Sequence, residues 1–168
     1  MVGYVRSVIG FPDPVDEVSA RLVAAGVVLL AVATIALDQP WLTAVIAYGF
    51  VARVLTGPTL SPLGRLVTRV VRPRLAVAAR LVPGPPKRFA QGIGALLSTT
   101  AAVLALGFGS TGVAYGLLAA LVVAASLEAF AGICLGCLVF AQLMRVGLIP
   151  AEVCERCADL WGTRRAGA

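Results

Sequence analysis

Hydrophobic residues in this chain gather into long blocks separated by short polar stretches. Leu22 to Leu37, "LVAAGVVLLAVATIAL", is an unbroken apolar run. It falls a little short of the roughly 20 residues that cross a hydrocarbon core, but Val18 to Arg21 extend it, with Arg21 able to snorkel. The tripeptide "DQP" then makes a tight turn, and Trp41 opens a second run, "WLTAVIAYGFVARVLTG", as an interfacial anchor. A third run, "RFAQGIGALLSTTAAVLALGF", begins beside Lys87 and Arg88 and ends before "GSTG". The fourth runs from Val113 towards Met144, interrupted by Glu128 and Gln142. The pattern predicts a single all-α membrane domain, a four-helix transmembrane bundle with spans at 18–37, 41–56, 88–108 and 112–144.

The polar stretches orient these spans. The two short turns, Asp38–Pro40 and Gly109–Gly112, contain no lysine or arginine. The stretch 57–87 and its edge carry Arg65, Arg69, Arg72, Arg74, Arg80, Lys87 and Arg88 with no acid among them. The positive-inside bias therefore predicts a plasma-membrane (inner-membrane) protein with this loop, both termini and the tail 147–168 in the cytoplasm. Within the loop, Ser61 is an expected N-cap with Pro62 at the first helical position. Arg65, Arg69 and Arg72 recur at helical spacing opposite Leu66, Val67, Val70 and Val71. Pro73 should break or kink this helix, and Leu75 to Val82 continue in the same style. A basic amphipathic helix on anionic lipid headgroups is the expectation. Nucleic-acid binding is set aside, because the stretch lacks aromatics and its apolar face needs a partner.

Composition agrees with this picture and narrows the chemistry. The 168 residues are 60% hydrophobic and 13% charged, against about 25% charged in soluble domains. The first 20 residues mix Arg6 with Asp13, Asp16 and Glu17 and show no secretory signal. There is no histidine, which removes Ser-His-Asp and Cys-His catalysis and every histidine-containing metal site.

Two features carry candidate chemistry. A straight helix over Val113–Met144 would be about 48 Å long, against a hydrocarbon core of about 30 Å, so it must protrude or break, with Gly132 and Gly136 as weak points. Gly132 and Gly136 also read as a small-xxx-small packing motif. Arg53 and Glu128 fall at comparable depth in the inner half of the membrane, where an unpaired charge costs at least about 3 kcal/mol. A structural clamp between them is the simplest expectation, with an anion site at Arg53 or a proton site at Glu128 as the functional alternatives. Lys87, Arg88 and Gln91 are expected to rim a cytoplasmic cavity facing Arg53 and the cysteines.

The second feature is the segment "GICLGCLVFAQLMRVGLIPAEVCERC", which holds all four cysteines as two C-x-x-C pairs, Cys134/Cys137 and Cys154/Cys157. Gly147 is a natural stop and Pro150 a helix start, so a turn between them should fold the tail back and bring the pairs together. Three readings stay open: inert packing thiols, a four-cysteine zinc site stapling the tail to the membrane domain, and a thiol redox or sulfur-transfer pair. Cys154 near a helix start and beside Arg156 favours a thiolate, and Glu152 and Glu155 oppose it.

"ARVLTGPTLSPLGRL", "PPKRFAQGIG" and "SLEAFAGICLGC" followed by "CERC" resemble the bacterial integral membrane family called domain of unknown function 4395. The resemblance extends from about Pro14 to Cys157. Pro86, Lys87, Arg88, Phe89, Gln91 and Gly92 match one motif, and Cys134, Gly136 and Cys137 the other. It implies a four-helix membrane protein often associated with thioredoxin-like proteins and sulfurtransferases, without an established activity. The leading expectation is a thiol redox or sulfur-transfer relay in which Cys134/Cys137 is the membrane pair and Cys154/Cys157 the pair that exchanges with a thioredoxin-like partner, with a zinc-stapled scaffold as the alternative. The third reading is a small transporter of a sulfur oxyanion that uses Arg53 and the basic loop, as a homo-oligomer because four short helices enclose little.

Overall fold

A computed structural model of the chain describes residues 12–154. The order of elements is strand β1 (Val15–Asp16), helix α1 (Glu17–Ala36), helix α2 (Leu42–Thr56), helix α3 (Pro62–Leu66), strand β2 (Leu81–Val82), helix α4 (Gly84–Ala102), helix α5 (Thr111–Ser126) and helix α6 (Leu135–Arg145). A π-helical turn at Val67–Val71 and a last α-turn at Arg72–Arg74 prolong α3; π-helical turns at Val103–Gly107 and Leu127–Ala131 prolong α4 and α5. A 3-10 turn, Ala151–Cys154, ends the described chain.

Three helices are long and apolar enough to cross a membrane: Glu17–Ala36, Gly84–Gly107 and Thr111–Ala131. Helix α2 has 15 residues and spans about 22 Å, short of a hydrocarbon core on its own. Helices α1, α2, α4 and α5 close a ring in which α2 lies along α4 and α1 along α5. The packing is inside out relative to a soluble bundle. The interior stripe is small, with Ala24, Ala31, Ala101, Ala105, Ala114 and Ala125 around Val27, Ile46, Phe50, Leu118 and Leu121. The large side chains Leu29, Leu55, Leu96, Val113 and Val123 point outwards and stay exposed. The small interior residues let the helices approach closely, a packing mode typical of helices that cross a membrane. The buried hydroxyls of Thr34, Thr43 and Ser98 are satisfied locally, bonding Leu30 O (2.7 Å), Pro40 O (2.6 Å) and Gly94 O (2.7 Å).

The basic segment departs from the sequence expectation in its second half. Ser61 does cap α3, accepting the Gly64 N–H at 3.2 Å, and Val67 turns inward, while Leu66 and Val70 stay exposed. After Arg74, however, the helix stops: Leu75 is extended and residues 76–80 form no regular element, while the π-helical turn at Val67–Val71 lies where Pro73 withdraws its N–H from the helical ladder. Leu81 and Val82 then pair antiparallel with Asp16 and Val15. This small sheet fastens the basic segment to the start of α1. Asp16 caps α1 through the Val18 and Ser19 N–H groups and forms a 2.6 Å ion pair with Arg72, while Glu17 meets Arg80 at 3.0 Å. Arg65, Arg69 and Arg74 remain exposed.

The long fourth run breaks where glycine permits it. Gly132 adopts φ +70°, a left-handed conformation that a side chain would strain, and so ends the π turn after α5. Arg21 of α1 completes this terminus, its Nε donating to Ala129 O (3.1 Å) and its Nη2 to Phe130 O (3.0 Å). Arg21 was expected only to snorkel; it caps a helix instead. The chain then re-enters a helix, α6, which lies against the first turns of α4. Gly136 allows this approach: a Cβ there would come within 2.5 Å of Ala90 Cα. Phe140 packs on Phe89 with ring centroids 5.6 Å apart.

Candidate functional site

Cys134 is the N-cap of α6. Its sulfur accepts the Cys137 N–H at 3.4 Å, and both residues are free cysteines, Cys134 buried and Cys137 half-buried. The spacing explains the geometry, since an N-cap side chain reaches the N–H three residues on. Two further effects favour a thiolate on Cys134: the partial positive charge of the helix start and a nearby ammonium. The thiol hydrogen bond donated by Cys137 holds the Cys134 thiol below its ordinary value, against burial and the Glu128 carboxylate and with help from Lys87 and the Cys137 N–H. The same bond, with burial, pushes the Cys137 thiol up. The pair is therefore asymmetric, with the Cys134 thiol lowered and the Cys137 thiol raised.

Arg53 and Glu128, expected as partners, take different ones. Glu128 Oε1 accepts from Lys87 Nζ at 2.6 Å, in a pair whose side chains are 14% and 9% exposed. Arg53 Nε donates to Gln91 Oε1 at 2.9 Å and Nη1 to Ser61 Oγ at 3.3 Å, with the guanidinium 4.3 Å from the Phe50 ring centre. The reason lies in reach: Lys87 and Gln91 are one helical turn apart on α4, so Lys87 meets α5 while Gln91 meets α2. Of the three residues expected at a rim, Lys87 is buried, Gln91 is half-buried and Arg88 is exposed, its Nε bonding Val54 O at 3.1 Å.

A signal for Lys87 as an interior residue does exist in the sequence. Positions 84, 87, 91, 94, 98 and 101 of α4 are Gly, Lys, Gln, Gly, Ser and Ala, a small-and-polar stripe at helical spacing. In a membrane helix such a stripe marks the face turned to the bundle, and Gly84, Lys87, Gly94, Ser98 and Ala101 are buried.

Two cavities adjoin Arg53 and Gln91. One, of about 280 Å³, runs between the helices and has Cys134, Glu128 and Gly136 in its otherwise largely apolar wall. The other, of about 150 Å³, is lined by Lys87, Asp16, Ser19 and Thr68. Arg53, Gln91 and Val23 belong to both walls.

The expected meeting of the four cysteines falls partly outside the described residues, which end at Cys154. Among the described residues, no three of the cysteines and carboxylates form a metal-ligand group, so a zinc staple has no support there. Cys154 is disulfide-bonded and Cys134 and Cys137 are free, so its bond is not to either of them. Cys157 lies outside the described residues, as do Glu155 and Arg156. The 3-10 turn that ends at Cys154 packs on α4, with Val153 near Gly84 and Phe140. Helix α4 thus serves both cysteine segments.

Residues 15–145 match the family described as Domain of unknown function (DUF4395). The match covers more than half of the chain, which belongs to this family. No curated protein and no solved structure matches it.

Proposed function

We propose that this member of the DUF4395 family is a four-span plasma-membrane protein whose Cys134/Cys137 pair exchanges disulfide or persulfide sulfur with a thioredoxin-like protein or a sulfurtransferase. In this reading α1, α2, α4 and the α5 helix to Ala131 span the membrane, and α6 lies at the cytoplasmic interface. The arginine-free hairpin tips at Gln39 and Ser110 face outwards, both termini face the cytoplasm, and exposed Arg65, Arg69 and Arg74 meet anionic headgroups.

The observation that carries the reading is the Cys134 sulfur at the start of α6, bonded by the Cys137 N–H at 3.4 Å. In the exchange, the Cys134 thiolate attacks a partner disulfide, forming a mixed disulfide and releasing one partner thiolate. Cys137 then loses its proton and attacks the Cys134 sulfur, closing the Cys134–Cys137 bond and releasing the second partner thiol. The Lys87 ammonium stabilises the attacking charge. The turn that holds Cys154, which stands as a disulfide, also packs on α4.

The test is trapping. Cys137→Ser in the full chain should accumulate a mixed disulfide between Cys134 and a thioredoxin-like protein, and the wild type should cycle reversibly between dithiol and disulfide. Failure of the wild-type pair to oxidise at any potential reached by disulfide buffers would overturn the reading. Orientation is checked separately: cysteines introduced at Gln39 or Ser110 should be labelled from outside intact cells, and Cys134 should not.

A further inference from the structure

The cavity of about 280 Å³ places three unlike things in one wall: apolar side chains from several helices, a nearly buried guanidinium, and the Cys134 thiol. Its volume sits near the lower end of ligand pockets, which run from roughly 300 Å³ upwards, and suits one substituted ring better than an extended chain. Leu97, Leu121 and Ala124 supply apolar walls, so the resident ligand is uncharged when it enters.

The polar end is specific. Arg53 is 6% exposed and uses Nε and Nη1 in its bonds to Gln91 and Ser61, while Gln91 uses only its carbonyl. Among the described residues, Arg53 Nη2 and Gln91 Nε2 make no hydrogen bond, yet neither is a sealed, unsatisfied atom. Both are donors left for an accepting oxygen. The charges around this cavity are also unbalanced: Arg53 and Lys87 share Glu128, which Lys87 already holds, and Asp16 in the adjoining cavity is held by Arg72. A site with a surplus buried cation stabilises an oxygen that gains negative charge during reaction.

A ligand that is apolar and neutral at rest, accepts hydrogen bonds, becomes more negative as it reacts and meets a dithiol is a lipid-soluble quinone. We propose that this cavity binds the ring of a membrane quinone, which oxidises the Cys134–Cys137 pair. The step balances without a further reactant: the two S–H bonds break and one S–S bond forms, and the two electrons and two protons convert the quinone's two carbonyls into the two hydroxyls of a quinol. Arg53 and Gln91 bind and polarise a carbonyl, and Cys134 begins the transfer. The inference rests on the thiol-exchange reading above with that exchange run in reverse: a partner dithiol reduces the Cys134–Cys137 disulfide, becoming a disulfide itself, and the quinone then re-oxidises the pair as the terminal oxidant.

The experiment uses the full chain in lipid nanodiscs without oxygen, carrying Cys154→Ser and Cys157→Ser so that one pair is counted. Duroquinone is the probe, because its ring is fully substituted and forms no thioether with a thiol. After reduction and removal of reductant, one duroquinone should be reduced per protein as both thiols disappear. Leu97→Trp and Ala124→Phe, which fill the cavity from two different helices, should slow this at least about tenfold while leaving oxidation by glutathione disulfide unchanged. Arg53→Gln should slow it by a similar factor. Saturable binding of duroquinone above empty nanodiscs should persist in Cys134→Ser/Cys137→Ser and disappear in Leu97→Trp.

The outcomes separate. Thiols that exchange with glutathione disulfide but protein that binds no duroquinone would overturn the quinone site, leave the exchange reading intact and mark the cavity as space for a lipid chain. Equal quinone rates in the filled and unfilled cavity would overturn it as well. Saturable binding with no thiol oxidation by either reagent would sink the oxidation step together with the exchange reading.

Discussion

Lys87 of α4 and Glu128 at the end of α5 form a 2.6 Å ion pair beside Cys134, while Arg53 of α2, at the same cavity, has only neutral hydrogen-bond partners. One carboxylate therefore serves two buried cations, and the choice of partner shapes the whole site. Lys87 ties the two helices that carry the cysteine segment, and Arg53 is left facing open volume.

Removing the carboxylate should be costly. Glu128→Gln leaves two buried cations without a counter-charge, and loss of one partner from a buried pair costs roughly 3–5 kcal/mol. Thermal unfolding in detergent should show a clear fall in midpoint. The double variant Lys87→Met/Glu128→Leu should recover much of it, because the only cation then left without a counter-charge is Arg53, which keeps its hydrogen bonds to Gln91 and Ser61. Equal midpoints for the single and double variants would contradict the pairing.

Gly136 should be replaceable only together with its neighbour. Gly136→Ala brings a Cβ to 2.5 Å from Ala90 Cα and Cβ, an overpacking that costs roughly 1–3 kcal/mol. Adding Ala90→Gly should return part of that stability. The readout is unfolding of the single and double variants, with alkylation of Cys134 reporting whether α6 stays seated.

The asymmetry of the thiols predicts a pH profile. Because Cys134 is held below its ordinary value, its alkylation should rise at lower pH than that of a free cysteine, whose midpoint is about 8.5. Cys137, pushed up, should stay silent over the same range. Cys137→Ala removes the thiol donor and should move the Cys134 profile to higher pH. Iodoacetamide rates resolved by mass spectrometry measure both.

The strand pair at the start of α1 should be acid-sensitive. Burial raises the Asp16 carboxyl, but the hydrogen bond from Arg72, with those from Ser19 and Val18, outweighs it and holds Asp16 below 3.8. A depressed carboxyl contributes its full stability above the unfolded value and loses it as pH falls through the folded value. Tryptic cleavage at Arg74 and Arg80 tests the latch near neutral pH: Asp16→Ala, which also removes an N-cap worth about 1 kcal/mol, should be cut faster than the wild type. An acid protease below about pH 4 should show the wild type converging on the variant.

Much of the architecture was legible in the order of residues, because long apolar helices are specified locally. Apolar run length marked the long helices, Ser61 and Pro62 marked the start of α3, and the excess length of the fourth run required the break that Gly132 supplies. Each of these is a property of consecutive residues: a backbone in lipid must bond within its own helix, and a left-handed φ needs glycine. The Cys134-to-Cys137 spacing likewise put one sulfur over the N–H of the other as soon as a helix began there.

Tertiary packing decided which distant groups meet. Nothing local tells Glu128 to take Lys87 and not Arg53; the angle at which α4 crosses between α2 and α5 does that, presenting Lys87 to one neighbour and Gln91 to the other. Nor could local pattern take residues 75–82 out of a helix and pair Leu81 and Val82 with Asp16 and Val15, since a two-residue strand exists only where its partner stands. Helical periodicity fixes which side chains share a face, but the identity of the facing surface is set by how closely backbones approach, and here Gly136 on Ala90 and the small-residue stripe of α4 set that approach.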